Sequence, residues 1–455
     1  MGVVTKFLLM SPLLLFKIIA QPAAERKGVS FFLWDFFVKF CKAKVNRGKG
    51  MLDLVKLAKQ MQGMSQHLNA EAIASRKRLE VAQKLLQEAQ TQQEELIDRK
   101  EIWRDRILFN SATPVEPLNI HPQIKVPPYA QTIIATDGSQ ISPSHHEIAY
   151  CYLLNIGRVM LHYGQTKHPI LDSIPEIFYK PEDLYISRQW GIKTEEWMGY
   201  RRATSEAIIL AELGCNCLKL NGNKLSAPTL AMVDGSLIYW FLDTLPTEAR
   251  DRILNPILQS WDLLRLAGIP LLGYVSASRS GESISFLRFA ACTYDEPDCI
   301  SNCPNIGFGA TTSYADKAPC QVFEPLRDTT LWESILSPGE RSPLWRSNLR
   351  ILDLYELHQI YFCYVHVGTE IARIEVPEWV AQDAEKFELA LSLMLAQVHK
   401  GGGYPVALAE AHNQAVVKGG DRGRFFALLE QEMIKAGLKN VSISYKETRK
   451  RGSIA

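Results

Sequence analysis

The chain has 455 residues, 47% hydrophobic and 22% charged, with a formal net charge of +2 and nine cysteines. That length buries a sizeable core and allows one large domain with additions, or two domains; the composition excludes a disordered or low-complexity chain. The charge is too small to argue for nucleic acid by itself, and an odd number of thiols fits a reducing compartment such as the cytoplasm better than a secreted disulfide framework.

Residues 1–50 read differently from the rest. Lys6 precedes the apolar run FLLMSPLLLF, which Pro12 and Lys17 interrupt before it is long enough for stable membrane insertion. A cleaved signal, a membrane-surface anchor and upstream sequence from a wrongly chosen start codon compete. We adopt the last, because Met51 opens a polar, helix-rich segment. From Ser65 to Leu108 the chain has almost no Gly or Pro. Leu68, Ala72, Leu79, Ala82, Leu86, Ala89, Leu96, Trp103 and Ile107 fall on a three-four spacing with polar breaks at Ser75, Gln93 and Lys100, which predicts a long helix with one apolar stripe. It is an arm on its own domain or a short coiled coil with a second chain. The prolines between Pro114 and Pro128 predict a linker and a domain boundary.

Beyond the linker, QTIIATDGS (Gln131 to Ser139) predicts a buried strand ending at Asp137-Gly138, a pair that does not easily continue a strand. About a hundred residues later, Thr229 to Val233 runs apolar into Asp234-Gly235-Ser236-Leu237. Two carboxylates at strand ends suit a divalent cation, because Mg²⁺ and Mn²⁺ take oxygen ligands and leave positions for water and phosphate. Ser139 and Ser236 are expected to fix the turns, not to act as nucleophiles. Ile148 to Met160 predicts further strand; His145, His146 and Glu147 before it have no metal-motif spacing and read as a solvated loop. Glu195 to Leu213 is helical, and Glu206 on its inner border is the candidate third carboxylate, with Glu212 as its competitor.

Asn255 to Ala267 predicts a helix and Ile269 to Ser276 a strand. Ser276 leads into Ser278-Arg279-Ser280-Gly281, hydroxyls and one cation suited to a phosphate contact. Cys292, Cys299, Cys303 and Cys320 follow in a proline-broken segment, candidates for Zn²⁺ or an iron–sulfur cluster although no CxxC pair is present. Strands are expected at Gln359 to His366 and Thr369 to Val376 and a helix at Asp383 to Val398. Gly401-Gly402-Gly403 lacks P-loop spacing, which argues against nucleotide binding. The helix Val406 to Val417 carries His412, and no Ser-His-Asp order suggests acyl transfer.

An Asp-Gly-Ser strand, a Glu on an intervening helix, a second Asp-Gly-Ser-Leu, a Gly-Tyr-x-Ser strand and a closing Tyr404-Pro405 to Ala411-His412 segment together resemble the NurA nuclease family. The resemblance spans roughly Ala130 to Leu429, and the order of the pieces is more specific than any one. It implies an α/β fold with an RNase H-like mixed sheet core flanked by helices, here with a long N-terminal helical arm. It also implies a phosphodiester hydrolase dependent on Mn²⁺ or Mg²⁺ in a two-metal site, acting on DNA from 5′ ends, commonly a homodimer, working beside a hexameric HerA-type ATPase. Carried over, it places Asp137, Glu206 and Asp234 at the metals, with His412 and Tyr404 completing the catalytic set and Ser276 and Arg279 on the substrate. Arg279 stands where a lysine is often found, keeping charge but changing geometry. The domains expected are 1–50 as an extension, 51–112 as the arm, 130–432 as the nuclease domain with a cysteine insertion near 292–320, and 433–455 as a basic tail. Two other classes stay open: a catalytically silent DNA- or translocase-binding subunit, and a coiled-coil adaptor.

Overall fold

The structure is a computed structural model that describes residues 53–142, 150–219, 224–303 and 318–437. The extension before residue 53, the histidines at 145 and 146 with Glu147, and the tail from 438 lie outside the described residues. The chain forms two compact units, 1–73 and 74–455. In the first, Asp53 caps helix α1 (Leu54–Gln60) by accepting the Val55 and Lys56 N–H groups. Leu54, Val55, Met61, Met64 and Leu68 are exposed along it and the start of α2 (Met64–Thr91). Among the described residues no helix is long and apolar enough to cross a membrane.

In the second unit the three-four pattern is realised as burial of Ala82, Leu85, Leu86 and Ala89 against Phe286, Trp332 and Phe362. The expected single helix is two. Gln92 leaves helical geometry at φ −123°, and α3 resumes over Gln93–Ile102. The proline-rich run past β1 (Thr113–Pro114) is tied down: Val115 N–H donates to Leu344, Ile124 N–H to Gly339, and Leu118 is buried.

The core is one mixed sheet. Its strands are β2 (Gln131–Ile141), β3 (Tyr152–Tyr163), β4 (Ile170–Phe178), β5 (Thr229–Asp234), β6 (Leu271–Val275), β7 (Trp345–Arg346), β8 (Ile360–His366) and β9 (Ile371–Pro377), in the order β1-β7-β8-β9-β6-β5-β2-β3-β4. β5 runs parallel to β2 and to β6; the other pairs are antiparallel. β5 reads TLAMV without polar alternation because helices cover both of its faces. Ile134, Ala231 and Leu271 pack on α4 (Thr194–Lys219) and α5 (Thr247–Leu266). Ile133, Ala135, Leu230, Met232, Leu272 and Tyr274 pack on α6 (Ala384–Lys400) and α7 (Val406–Ala415), and α8 (Gly419–Lys435) follows.

One sequence expectation is overturned. β2 does not stop at Asp137-Gly138 but continues to Ile141, because β3 pairs with it throughout, Asp137 opposite Gly157 and Gly138 opposite Ile156. The strand that ends at its aspartate is β5. β4, with Pro175 in its middle, had no alternation to announce it; it is the edge strand, where a missing N–H costs no ladder bond.

Candidate active site

β2 and β5 lie side by side in parallel register, with Thr136 opposite Val233. Asp137 and Asp234 are therefore next to each other at one level of the sheet. Strand alternation sends both toward the α6–α7 face, since Ala135 and Met232, two residues before them, belong to the core on that side. Asp137 lies in β2 with 22% of its side chain exposed, and Asp234 is exposed.

Helix α7 brings His412 over this pair, its Nδ1 2.8 Å from Asp137 Oδ2. A carboxylate only accepts, so Nδ1 carries the proton and Nε2 is left as the other ring nitrogen of an exposed side chain. The helix comes this close because Gly157 beneath it has no side chain: a methyl there would stand 2.4 Å from the Ala411 carbonyl oxygen. The end of α7 is then clamped. Ser139 Oγ and Asn155 Nδ2 (2.8 Å) both donate to the Ala415 carbonyl. The serine of the first Asp-Gly-Ser thus holds the helix that carries His412.

Glu206 approaches from the opposite face. Its backbone carbonyl accepts from Thr136 Oγ1 at 3.0 Å, and its Oε1 lies over Gly138, where an added methyl would be 2.5 Å away. Oε1 is sealed from solvent with no hydrogen-bond partner; Arg202 Nε is 3.3 Å away but misaligned and equally unsatisfied. Burial pushes the Glu206 carboxyl up to about 8. Arg202 opposes the shift, and the charges of Asp137 and Asp234 add to it. Partial shielding by the surrounding protein also raises the Asp234 carboxyl, although the residue as a whole is exposed; the Tyr404 hydroxyl, within hydrogen-bonding reach, opposes this, and Asp137 reinforces it. The Tyr404 phenol is driven well up by burial and by Asp234. Tyr404 stands edge-on to Tyr274 with ring centroids 5.5 Å apart. The competitor Glu212 faces Arg158 instead.

Three carboxylates, of which Glu206 feels the charges of the other two and has an orphaned buried oxygen, form a hard-oxygen donor set that fits a divalent cation. Among the described residues, however, no three His, Cys, Asp or Glu side chains close on a single ion as they lie. The geometry gives the reason: two carboxylates come from one face of the sheet and the third from the other, with Asp137 engaged by His412. The set is gathered but open.

The other expected residues lie around this centre. Ser276 Oγ is 2.8 Å from both oxygens of Glu370, whose Oε2 also accepts the Ala277 N–H (3.0 Å); Ala277 adopts φ 49°. Ser276 thus shapes the strand end. Arg279 is exposed on the loop that follows, in a cleft of about 440 Å³ that also holds Ser236, Trp240, Ser278 and Ser280. Its floor is a buried group the sequence reading did not single out. Glu375 accepts from Ser236 Oγ (2.8 Å), Leu237 N (2.8 Å) and Arg373 Nε (2.7 Å), and Arg373 also meets Glu282 at 3.0 Å. Charged residues two apart in the apolar strand IARIEVP were the available signal. Cys292, Cys299, Cys303 and Cys320 all line one small cavity as free thiols, and Arg288 donates to Cys320 Sγ at 3.4 and 3.3 Å.

A family model described as NurA domain matches residues 131–417. No curated protein matches the chain. Among solved structures it is similar to the NurA nuclease from Sulfolobus solfataricus, at 13% identity over 85% of this chain and 98% of that one with a TM-score of 0.44. It is also similar to a NurA with manganese (12% identity, 76% and 96%, TM-score 0.32) and to a NurA bound to dAMP and manganese (10%, 71% and 91%, 0.30).

Proposed function

Starting from the chain's membership of the NurA domain family, matched over residues 131–417, we propose that it is a metal-dependent deoxyribonuclease that hydrolyses phosphodiester bonds at Asp137, Glu206 and Asp234. The observation that carries this reading is the convergence of three carboxylates beside an exposed imidazole held by Asp137. Asp137, Glu206 and Asp234 would hold Mn²⁺ or Mg²⁺. Such ions, when bound, supply Lewis acidity and acidify water. Asp137 fixes the tautomer of His412, so Nε2 accepts a proton from the attacking water or returns one to the leaving oxygen. Tyr404 orients Asp234 through its hydroxyl, and Arg279 pairs with non-bridging phosphate oxygens as the strand enters.

Digestion of a labelled duplex in Mn²⁺ by the wild type, Asp137→Ala and Asp234→Ala tests the assignment; equal rates for all three would end it. The open carboxylate set favours one second reading, a silent subunit that clamps DNA or a translocase. It gains if the wild type fails to digest even with a hexameric ATPase of HerA type present.

The finer setting belongs to the same proposal: a cytoplasmic homodimer that processes DNA ends in repair from the 5′ side, beside such an ATPase, with the exposed apolar residues of the arm pairing as a coiled coil. The four-thiol cavity is proposed as a Zn²⁺ or iron–sulfur site. Protein purified without chelator should carry one of these metals and lose it on Cys303→Ser; finding neither zinc nor iron removes the site.

A further inference from the structure

The residue after the second Asp-Gly-Ser turn that no motif explains is Trp240. A tryptophan is costly to leave in water, yet its side chain is 49% exposed, while its neighbours Ile238 and Leu242 are buried at 2% and 0%. It opens onto the cleft lined by Arg279 and by the hydroxyls of Ser278, Ser280 and Ser236, and Ser236 stands two residues past Asp234 in the chain. The volume, about 440 Å³, falls where pockets for a single nucleotide-sized group lie.

The cleft does not end there. Asn110 lines it and also lines a second cleft of about 290 Å³ that holds Lys100, Arg104 and Arg350, so the two adjoin at Asn110. They differ in kind. In the first, the carboxylates of Glu282 and Glu375 are absorbed by Arg373 and by the hydroxyls of Ser347 and Ser236, leaving an indole, hydroxyls and one exposed cation. In the second, three cations face the two carboxylates of Asp105 and Asp353, and Lys100 is only 6% exposed, its Nζ 2.7 Å from Thr113 Oγ1.

We infer that these adjoining clefts are the track of one nucleic-acid strand passing over Asn110, with Trp240 stacking on a base and Arg104 and Arg350 taking phosphates farther along. An isolated indole offers any base a π-face, and flanking cations hold the backbone without reading sequence. This inference rests on the nuclease reading for its substrate, but its test needs no turnover.

In EDTA, fluorescence anisotropy of labelled oligothymidines of 4 and 16 residues would be measured against wild type, Trp240→Ala, Trp240→Phe and the double variant Arg104→Ala/Arg350→Ala. Trp240→Ala should weaken binding of both lengths roughly 5- to 100-fold, the range of a single base–aromatic stack, while Trp240→Phe keeps most of it. A strand with an abasic residue at the stacked position should bind wild type and Trp240→Ala alike. The double arginine variant should bind the 16-mer more weakly and with a shallower salt dependence, and the 4-mer as wild type does. The inference is overturned if Trp240→Ala binds as wild type, if its loss persists on every abasic strand, or if the arginine variant weakens both lengths equally. Failure of the nuclease reading appears elsewhere, as unchanged Mn²⁺-dependent digestion by Asp234→Ala.

Discussion

The molecule carries two clusters of acidic side chains on its one mixed sheet, and they are built on opposite plans. Around Arg373, the carboxylates of Glu282 and Glu375 are 7% and 2% exposed, share the guanidinium at 3.0 and 2.7 Å, and take further hydrogen bonds from Ser347, Ser236 and Leu237. Arg373 also lies 3.6 Å over the Phe362 ring. Around Asp137, Glu206 and Asp234 no cation is shared: Arg202 beside Glu206 is misaligned, and the carboxyls of Glu206 and Asp234 are pushed up by burial and by their neighbours. A buried charge cluster that is fully matched is costly to break, because removing one partner strands an uncompensated charge. One left unmatched costs stability and persists where its groups are used.

The contrast is broken most deeply by removing one group from each cluster. Asp137→Ala or Asp234→Ala should lower Mn²⁺-dependent cleavage by more than roughly a thousandfold, on the order of 4 kcal/mol of barrier, while thermal melting without metal stays put or rises because repulsion is relieved. Arg373→Ala should do the reverse to stability: two buried carboxylates lose their partner, and the loss is about 3–5 kcal/mol in denaturant unfolding.

Acidity sharpens the same contrast. Below about pH 4.5 the Glu206 carboxyl is protonated both folded and unfolded. Between there and its folded value of about 8, the native chain holds a proton that the unfolded chain has released. Metal-free protein should therefore lose stability as pH rises across that window, by a few kcal/mol at most. Glu206→Gln should flatten the profile in melting scans from pH 5 to 8.5, and a profile unchanged by that substitution would contradict the burial of Glu206. The smallest effect is mechanical. Gly157→Ala puts a methyl 2.4 Å from the Ala411 carbonyl and should cost about 1–3 kcal/mol of stability as α7 lifts. Cleavage should fall with little change in substrate binding, since His412 moves while the cleft does not.

Much of the carboxylate cluster was legible in the sequence because its signals are local. Thr229 to Val233 is apolar and stops at Asp234, and Glu206 borders the inward face of a helical run. The course of β2 past Asp137 was not legible: Asp-Gly reads as a break, and only the facing residues of β3 supply the partners that carry the strand on to Ile141. The Arg373 cluster was hidden for a related reason. Its members come from a loop near 282 and from β9, and nothing local at Glu282 says that it will meet a guanidinium some ninety residues away. Trp240 escaped because an exposed indole and a buried one look alike in a sequence. The break at Gln92 interrupts good helix formers with another good helix former, so only tertiary packing distinguishes it.

The contact between His412 and Asp137 spans 275 positions of the chain. During synthesis β2 leaves the ribosome long before α7 exists, and the serine and asparagine that will grip the end of α7 wait with nothing to hold. A polypeptide truncated between Asp234 and Val406 has the three acids but no imidazole above them. The contact over Asp137 is thus one of the last to form, and only the nearly finished chain brings His412 to the acids.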